Sequence, residues 1–164
     1  MSILIYNDII KKYQTTVRFD RENFHPSLLS DESYYDIYKK SKHITISEML
    51  ENLYKDKLIS YPRTDSPVLS INQFDDRLAI FDAVAESCFD EPSVRVLLTK
   101  MDMNLMKQDC WVENFNHDHY GLTPTITPVE MNVYFNSRRR SYEDIRKQMY
   151  LDICKGYVKL FIPD

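Results

Sequence analysis

The stretch Leu53-Tyr54-Lys55-Asp56-Lys57-Leu58-Ile59-Ser60-Tyr61-Pro62-Arg63-Thr64-Asp65-Ser66 sets the reading of the whole chain. It joins two kinds of backbone. Upstream, Ile46, Met49, Leu50, Leu53 and Tyr54 form one apolar stripe at helical spacing. Thr45 and Glu48 have capping-box spacing, and Ile44 and Met49 have staple spacing, so the helix is predicted to start there. Lys55 and Lys57 stand near its C-terminal end, where cations suit the dipole. Downstream, Pro62 fixes its own φ and pushes Tyr61 out of the helical region. Side chains two residues apart on an extended strip leave on one face, roughly 6.5–7 Å apart. The helix is therefore expected to act as a rigid arm that delivers Tyr61 and Arg63 to the same side of a stiff ribbon. Such a pair suits a site where a tyrosine oxygen attacks a phosphate and an arginine holds the phosphate oxygens. The plainer alternatives are an interior tyrosine at a strand start and a surface arginine paired with Asp65.

Composition limits what surrounds this ribbon. At 164 residues, 43% hydrophobic and 28% charged, the chain fits one soluble domain with a substantial core. Two glycines, Gly121 and Gly156, argue against a glycine-rich phosphate loop. A net charge of −4 is not that of a free-standing DNA-binding domain, so nucleic-acid contact would need a local basic patch or another chain. Arg138-Arg139-Arg140 is the one dense basic run; it either tracks a nucleic-acid backbone or forms a solvated loop. Cys88, Cys110 and Cys154 are odd in number and widely spaced, so reduced thiols in a cytoplasmic protein are expected, and neither a metal site nor a disulfide framework is indicated. The opening Met-Ser-Ile-Leu-Ile-Tyr is too short for a signal peptide, and no apolar run approaches membrane-spanning length.

Along the chain, residues 3–13 allow a helix, with the first four alternatively starting as a strand. Thr15–Phe19 alternates as a short strand. His25-Pro26 closes a polar loop, and Ser30 is placed to cap a helix over about 31–41. Ser70 is read as the cap of a helix through about residue 87, with Ile71, Phe74, Leu78, Phe81 and Ala85 inward. Glu91-Pro92 starts another, carrying Val94, Leu97, Leu98 and Met101. Residues 107–118 read as polar and irregular, and 123–128 as extended. A last long helix from about Ser141 carries Tyr142, Ile145, Met149, Ile153, Tyr157 and Leu160. The fold class is mainly α (α+β): one helical domain over 1–164 with a few short strands.

The segment Leu58-Ile59-Ser60-Tyr61-Pro62-Arg63-Thr64-Asp65-Ser66, with Leu53-Tyr54 before it, closely resembles the active-site segment of type IA DNA topoisomerases, especially the topoisomerase III branch. A second signature of that family, close to Asp-His-His-Ala-Ile-Ile-Pro-Thr, is matched by Asp118-His119-Tyr120-Gly121-Leu122-Thr123-Pro124-Thr125. Tyr120, Gly121 and Thr123 depart from the usual residues. The resemblance covers about residues 24–160, is strongest over 45–66 and 118–125, and corresponds to the tyrosine-bearing domain III; residues 126–140 look like an insertion.

The resemblance implies that Tyr61 attacks single-stranded DNA to form a 5′-phosphotyrosyl link, that Arg63 clamps the phosphate, and that His119 lies near the DNA phosphates. It also implies a nucleoid-associated enzyme that needs Mg²⁺ in a toprim domain. No Asp-x-Asp stands in the expected strand–loop setting here, so no cofactor is expected in this chain itself. The toprim domain would come from elsewhere, this chain being an excised fragment, a truncated product or one part of a split enzyme. The competing expectation is a non-catalytic DNA-binding or interaction module derived from the same domain. His25, His43 and His117 are read as ordinary histidines.

Overall fold

A computed structural model of the chain describes residues 3–14, 34–113 and 118–164, with residues 34–44 described by their backbone alone. The strand at 15–19, the His25-Pro26 loop, the Ser30 cap and His117 lie outside the described residues. The elements in order are α1 (Tyr6–Tyr13), α2 (Tyr34–Lys55), β1 (Leu69–Ser70), a 3₁₀ turn (Ile71–Asp76), α3 (Arg77–Ser87), α4 (Pro92–Leu98), β2 (Trp111–Val112), α5 (Met131–Tyr134) and α6 (Arg140–Lys159). The fold is mainly α, with one two-stranded parallel sheet that pairs Leu69 with Trp111 and Ser70 with Val112.

Helix α6 supplies the centre of the core. Met149, Tyr150, Ile153, Cys154, Tyr157 and Val158 are all buried, and Phe161 follows just past the helix end. The helix packs against α4 and α2. Ile46, Met49, Leu50 and Leu53 of α2 are also fully buried, each stabilising the fold by roughly 1.5–3 kcal/mol relative to exposure. At the other end, α1 is tied to α6 by Asp152, which accepts from Lys12 Nζ and from the Tyr13 hydroxyl, both at 2.5 Å. Burial pushes the Asp152 carboxyl up, but those two bonds outweigh it and hold it below the usual carboxylate range. Cys88, Cys110 and Cys154 are all buried, and no helix of the described residues is long and apolar enough to cross a membrane.

Three expectations are corrected. Helix α2 does not begin at a Thr45–Glu48 cap; one continuous helix runs from Tyr34 through Lys55. Between Ser41 and Thr45 there is neither Gly nor Pro, and the other residues there cost a helix only a few tenths of a kcal/mol, roughly, each. A break would also orphan several backbone groups at each new end.

The second correction concerns the inward face after Ser70. Ser70 does cap its helix: its N–H donates to Gln73 Oε1 at 2.9 Å, and its hydroxyl accepts from Asn72 N–H at 3.4 Å. The first six residues are 3₁₀, however. Advancing 120° per residue instead of 100°, they rotate the later side chains by about 120°. Ile80, Phe81, Ala83 and Val84 therefore face the core, while Leu78 is 49% exposed and Ala85 is exposed. The third correction is β2, which lies inside the stretch read as irregular.

The apparent insertion 126–140 is built into the fold. Val129 donates its N–H to Ser87 Oγ at 2.8 Å, Met131 is buried, and the Tyr134 hydroxyl donates to Asp56 at 2.5 Å. Behind it, Arg146 and Glu143 of α6 form a buried pair at 2.9 Å. Arg146 also lies over the Tyr134 ring and donates to its hydroxyl at 3.3 Å, and Ser137 donates to Glu143.

Helix α2 ends in a Schellman turn. Leu58 N–H donates to Leu53 C=O at 3.0 Å and Lys57 N–H to Tyr54 C=O at 2.9 Å, with Lys57 at φ 64°. That left-handed position normally takes glycine, because a Cβ there costs about 1–2 kcal/mol. Lys57→Gly is therefore expected to raise stability by about 0.5–1 kcal/mol, read as a higher urea midpoint, whereas Lys57→Val should lower it.

Candidate functional site

The turn at Lys57 folds the following ribbon back beside α2. Two further segments hold it there. Ser60 N–H donates to Thr123 C=O and Thr123 N–H to Ser60 Oγ, both at 2.9 Å, and Thr125 N–H donates to Leu58 C=O at 3.2 Å. Ile59 and Pro124 form an antiparallel bridge. The Thr125 hydroxyl also donates to Lys57 C=O. On the other side, Tyr6 N–H donates to Thr64 C=O at 3.1 Å, Gly121 N–H to Val68 C=O at 3.1 Å, and Leu122 N–H to Leu4 C=O at 2.8 Å. The ribbon is thus laced to the 121–125 segment and to the start of the chain.

Its burial alternates. Ser60, Pro62, Thr64 and Ser66 are buried, Tyr61 is half-buried, and Arg63 and Asp65 are exposed. Tyr61 and Arg63 therefore share the outward side, as period-two geometry requires. The ribbon is not straight, because Thr64 N–H donates to Pro62 C=O at 3.0 Å and bends it tightly at Arg63.

Three contacts define the site. The Tyr61 ring stacks on His119, with centroids 4.0 Å apart and planes at 29°. Tyr54 meets Tyr61 edge-on at 5.6 Å. Arg63 Nε lies 3.3 Å from Glu51 Oε1, with the arginine side chain 61% exposed. Glu51 and Tyr54 are three residues apart on α2 and so neighbours on one helix face. One face of α2 therefore engages both Tyr61 and Arg63, and the 118–125 loop closes on Tyr61 from the other side. Such an exposed ion pair contributes little to stability; its effect is to hold the guanidinium against α2.

Arg63 pairs with Glu51 and not with Asp65, the partner the sequence suggested for the plainer reading. Tyr54, expected on the buried stripe of α2, is 40% exposed and belongs to this surface. Glu51 and Tyr54 are site residues the sequence reading did not single out. Arg138, Arg139 and Arg140 are exposed at the start of α6. Arg139 lies 4.6 Å above the Tyr142 ring, and the Tyr142 hydroxyl accepts from Asn52 at 3.4 Å. None of the described contacts joins that run to Tyr61, Arg63 or His119. Among the described residues no three His, Cys, Asp or Glu side chains come together in a metal-holding group.

The loop that carries His119 depends on Gly121. A Cβ there would stand 2.1 Å from Ile3 Cγ2 and 3.3 Å from the Ser66 carbonyl oxygen, and Ile3 is buried. Gly121→Ala is expected to destabilise the fold by about 1–3 kcal/mol through overpacking. Its second expected effect is a displaced His119 ring, seen as loss of the ring-current shift that the Tyr61 stack imposes on the imidazole protons.

No known protein-family profile matches the chain. Over 122 residues, 73% of its length, the chain is 27% identical to DNA topoisomerase 3 of Pasteurella multocida (strain Pm70). It spans 16% of that protein's length.

Proposed function

Starting from the similarity to a region of a DNA topoisomerase 3, we propose that this chain is the tyrosine-bearing domain of a type IA topoisomerase, acting on single-stranded DNA. The phenol oxygen of Tyr61 forms a bond to a backbone phosphorus. The bond from that phosphorus to O3′ breaks, and the phenolic proton ends on the freed 3′-hydroxyl. The product is a 5′-phosphotyrosyl link that the 3′-hydroxyl reverses, so resealing needs no external energy source. Arg63 holds the phosphate oxygens in its planar fork and meets the charge that builds on them. His119, stacked on the nucleophile, contacts the neighbouring phosphate or carries the proton.

The observation that carries this reading is the Tyr61–His119 stack on a ribbon whose outward side also presents Arg63. The toprim domain, with the acidic side chains and Mg²⁺ that reaction needs, is supplied elsewhere. Arg138–Arg140 serve as a backbone-tracking surface at the start of α6.

A second reading, a non-catalytic DNA-binding or interaction module, is favoured by one observation: Arg63 is engaged by Glu51, which offsets part of the charge a phosphate would meet. Reconstitution separates the two. With magnesium, neither this chain nor a toprim-containing partner should relax negatively supercoiled plasmid alone, and the mixture should. Relaxation by this chain alone would overturn the need for a separate toprim domain, and an inactive mixture that still binds single-stranded DNA would favour the second reading.

A further inference from the structure

Glu51 has no task in the reaction proposed above, yet it pairs with the arginine that reaction needs. The backbone at Arg63 is already fixed. Thr64 N–H closes the tight bend onto Pro62 C=O, and Thr64 C=O accepts from Tyr6 N–H. What stays loose is the arginine side chain, a long group that is 61% exposed and has much rotamer freedom to lose when it is ordered. Glu51 restricts it from one side. Its Oε1 approaches Nε, at 3.3 Å. Among the described residues, neither Nη1 nor Nη2 of Arg63 donates a hydrogen bond. A guanidinium can fit a pair of oxygens along the edge that includes Nε or end-on through its two Nη groups. With a carboxylate on the Nε edge, the end-on fork is the one left for a phosphate.

The same stretch of α2 also touches the nucleophile. Tyr54 follows Glu51 by three residues and meets the Tyr61 ring edge-on at 5.6 Å. One rigid turn of helix thus fixes the arginine side chain on the same support as the phenol ring. We infer that Glu51 is a positioning residue: it holds Arg63 by Nε so that Nη1 and Nη2 meet the phosphate end-on. The inference rests on the reading of Arg63 as the phosphate clamp. The carboxylate then has two effects of opposite sign. Its charge lessens the pull of Arg63 on any phosphate, reacting or not, and so weakens binding. Its hold on Nε fixes where the fork points, which tells on the bond-forming step, where geometry is most exacting.

The test uses the full chain with a toprim-containing partner, magnesium and a 3′-labelled single strand, and reads binding and covalent capture separately. Glu51→Ala should slow single-turnover capture about tenfold while binding the strand about twofold more tightly. Its urea midpoint should not move, since an exposed pair contributes little. Glu51→Gln keeps an acceptor oxygen at the same reach and should restore most of the rate. With Arg63→Ala already in place, Glu51→Ala should slow capture no further, because the group it positions is gone. The Nε–Hε resonance of Arg63, identified by its absence in Arg63→Ala, should shift in Glu51→Ala and stay in place when an oligothymidine binds the native chain. Capture as fast in Glu51→Ala as in the native chain or faster, an equal slowing in the Arg63→Ala background, or an Nε–Hε resonance that moves on DNA binding to its Glu51→Ala position would overturn the assignment. Failure of the native mixture to capture DNA would instead overturn the clamp reading of Arg63, and this inference with it.

Discussion

Tyr61→Phe should abolish covalent capture of single-stranded DNA and leave the fold alone. In the presence of a toprim-containing partner and magnesium, the native chain is expected to carry label from a 3′-labelled strand through a denaturing gel. The variant should lose this signal by more than roughly 10³-fold, since it lacks the atom that forms the bond. The ring keeps its stack on His119 and its edge contact with Tyr54. Stability should therefore change by less than about 0.5 kcal/mol, as for other half-exposed positions. That contrast distinguishes a nucleophile from an interior tyrosine. A large loss of stability with little loss of capture would assign Tyr61 to the core. Binding of single-stranded DNA without cleavage should persist, because phosphate contacts do not need the phenol oxygen.

The largest expected loss of stability is at Arg146. Its guanidinium is buried against Glu143 at 2.9 Å and against the rings of Tyr134 and Phe135. Arg146→Ala leaves the Glu143 carboxylate buried and unpaired, and breaking such a pair from one side costs about 3–5 kcal/mol. The effect is read as a fall in the urea midpoint at constant slope. Arg146→Lys keeps the charge and loses the planar fork, so an intermediate loss is expected. Removing both charges together, Glu143→Met with Arg146→Met, should cost less than Arg146→Ala alone, because no orphaned ion remains. The damage should reach the site as well. Arg146 supports Tyr134, Tyr134 donates to Asp56, and Asp56 precedes the Lys57 turn that aims the ribbon. Covalent capture by Arg146→Lys is therefore expected to fall even at temperatures where the variant is fully folded.

Local signals made parts of this architecture legible. The stripe on α6, the Ser70 cap and Pro92 at the first turn of α4 all act through neighbours within a turn or so, and each is present. The alternation that leaves Arg63 exposed and Tyr61 half-buried follows the period-two expectation, while the tight bend at Arg63 was not announced. What escaped depends on long-range contacts or on backbone that side chains do not announce. The pairing of Leu69 with Trp111 spans about forty residues of chain, and its two-residue strands carry too little alternation to be seen. The 3₁₀ turn after Ser70 has no composition that separates it from an α-helical start, so the inward face came out rotated. Lys57 hid the sharpest turn in the site by occupying a position where glycine is the usual marker. With that turn unseen, nothing in the sequence said that the ribbon doubles back onto Glu51 and Tyr54. The ties of residues 126–140, to Ser87, Asp56 and Arg146, also escaped, because they come from three separate helices or their ends.

The most direct measurement uses the chain's own cleavage sites. Trypsin cutting after Lys57 and Arg63 releases Leu58–Arg63, a peptide whose single tyrosine is Tyr61. Captured DNA is digested to a nucleotide remnant, and the modified peptide is identified by mass spectrometry. The account predicts a nucleotide on Leu58–Arg63, joined through its 5′-phosphate. A remnant on any other tyrosine peptide, or one joined through a 3′-phosphate, would contradict it.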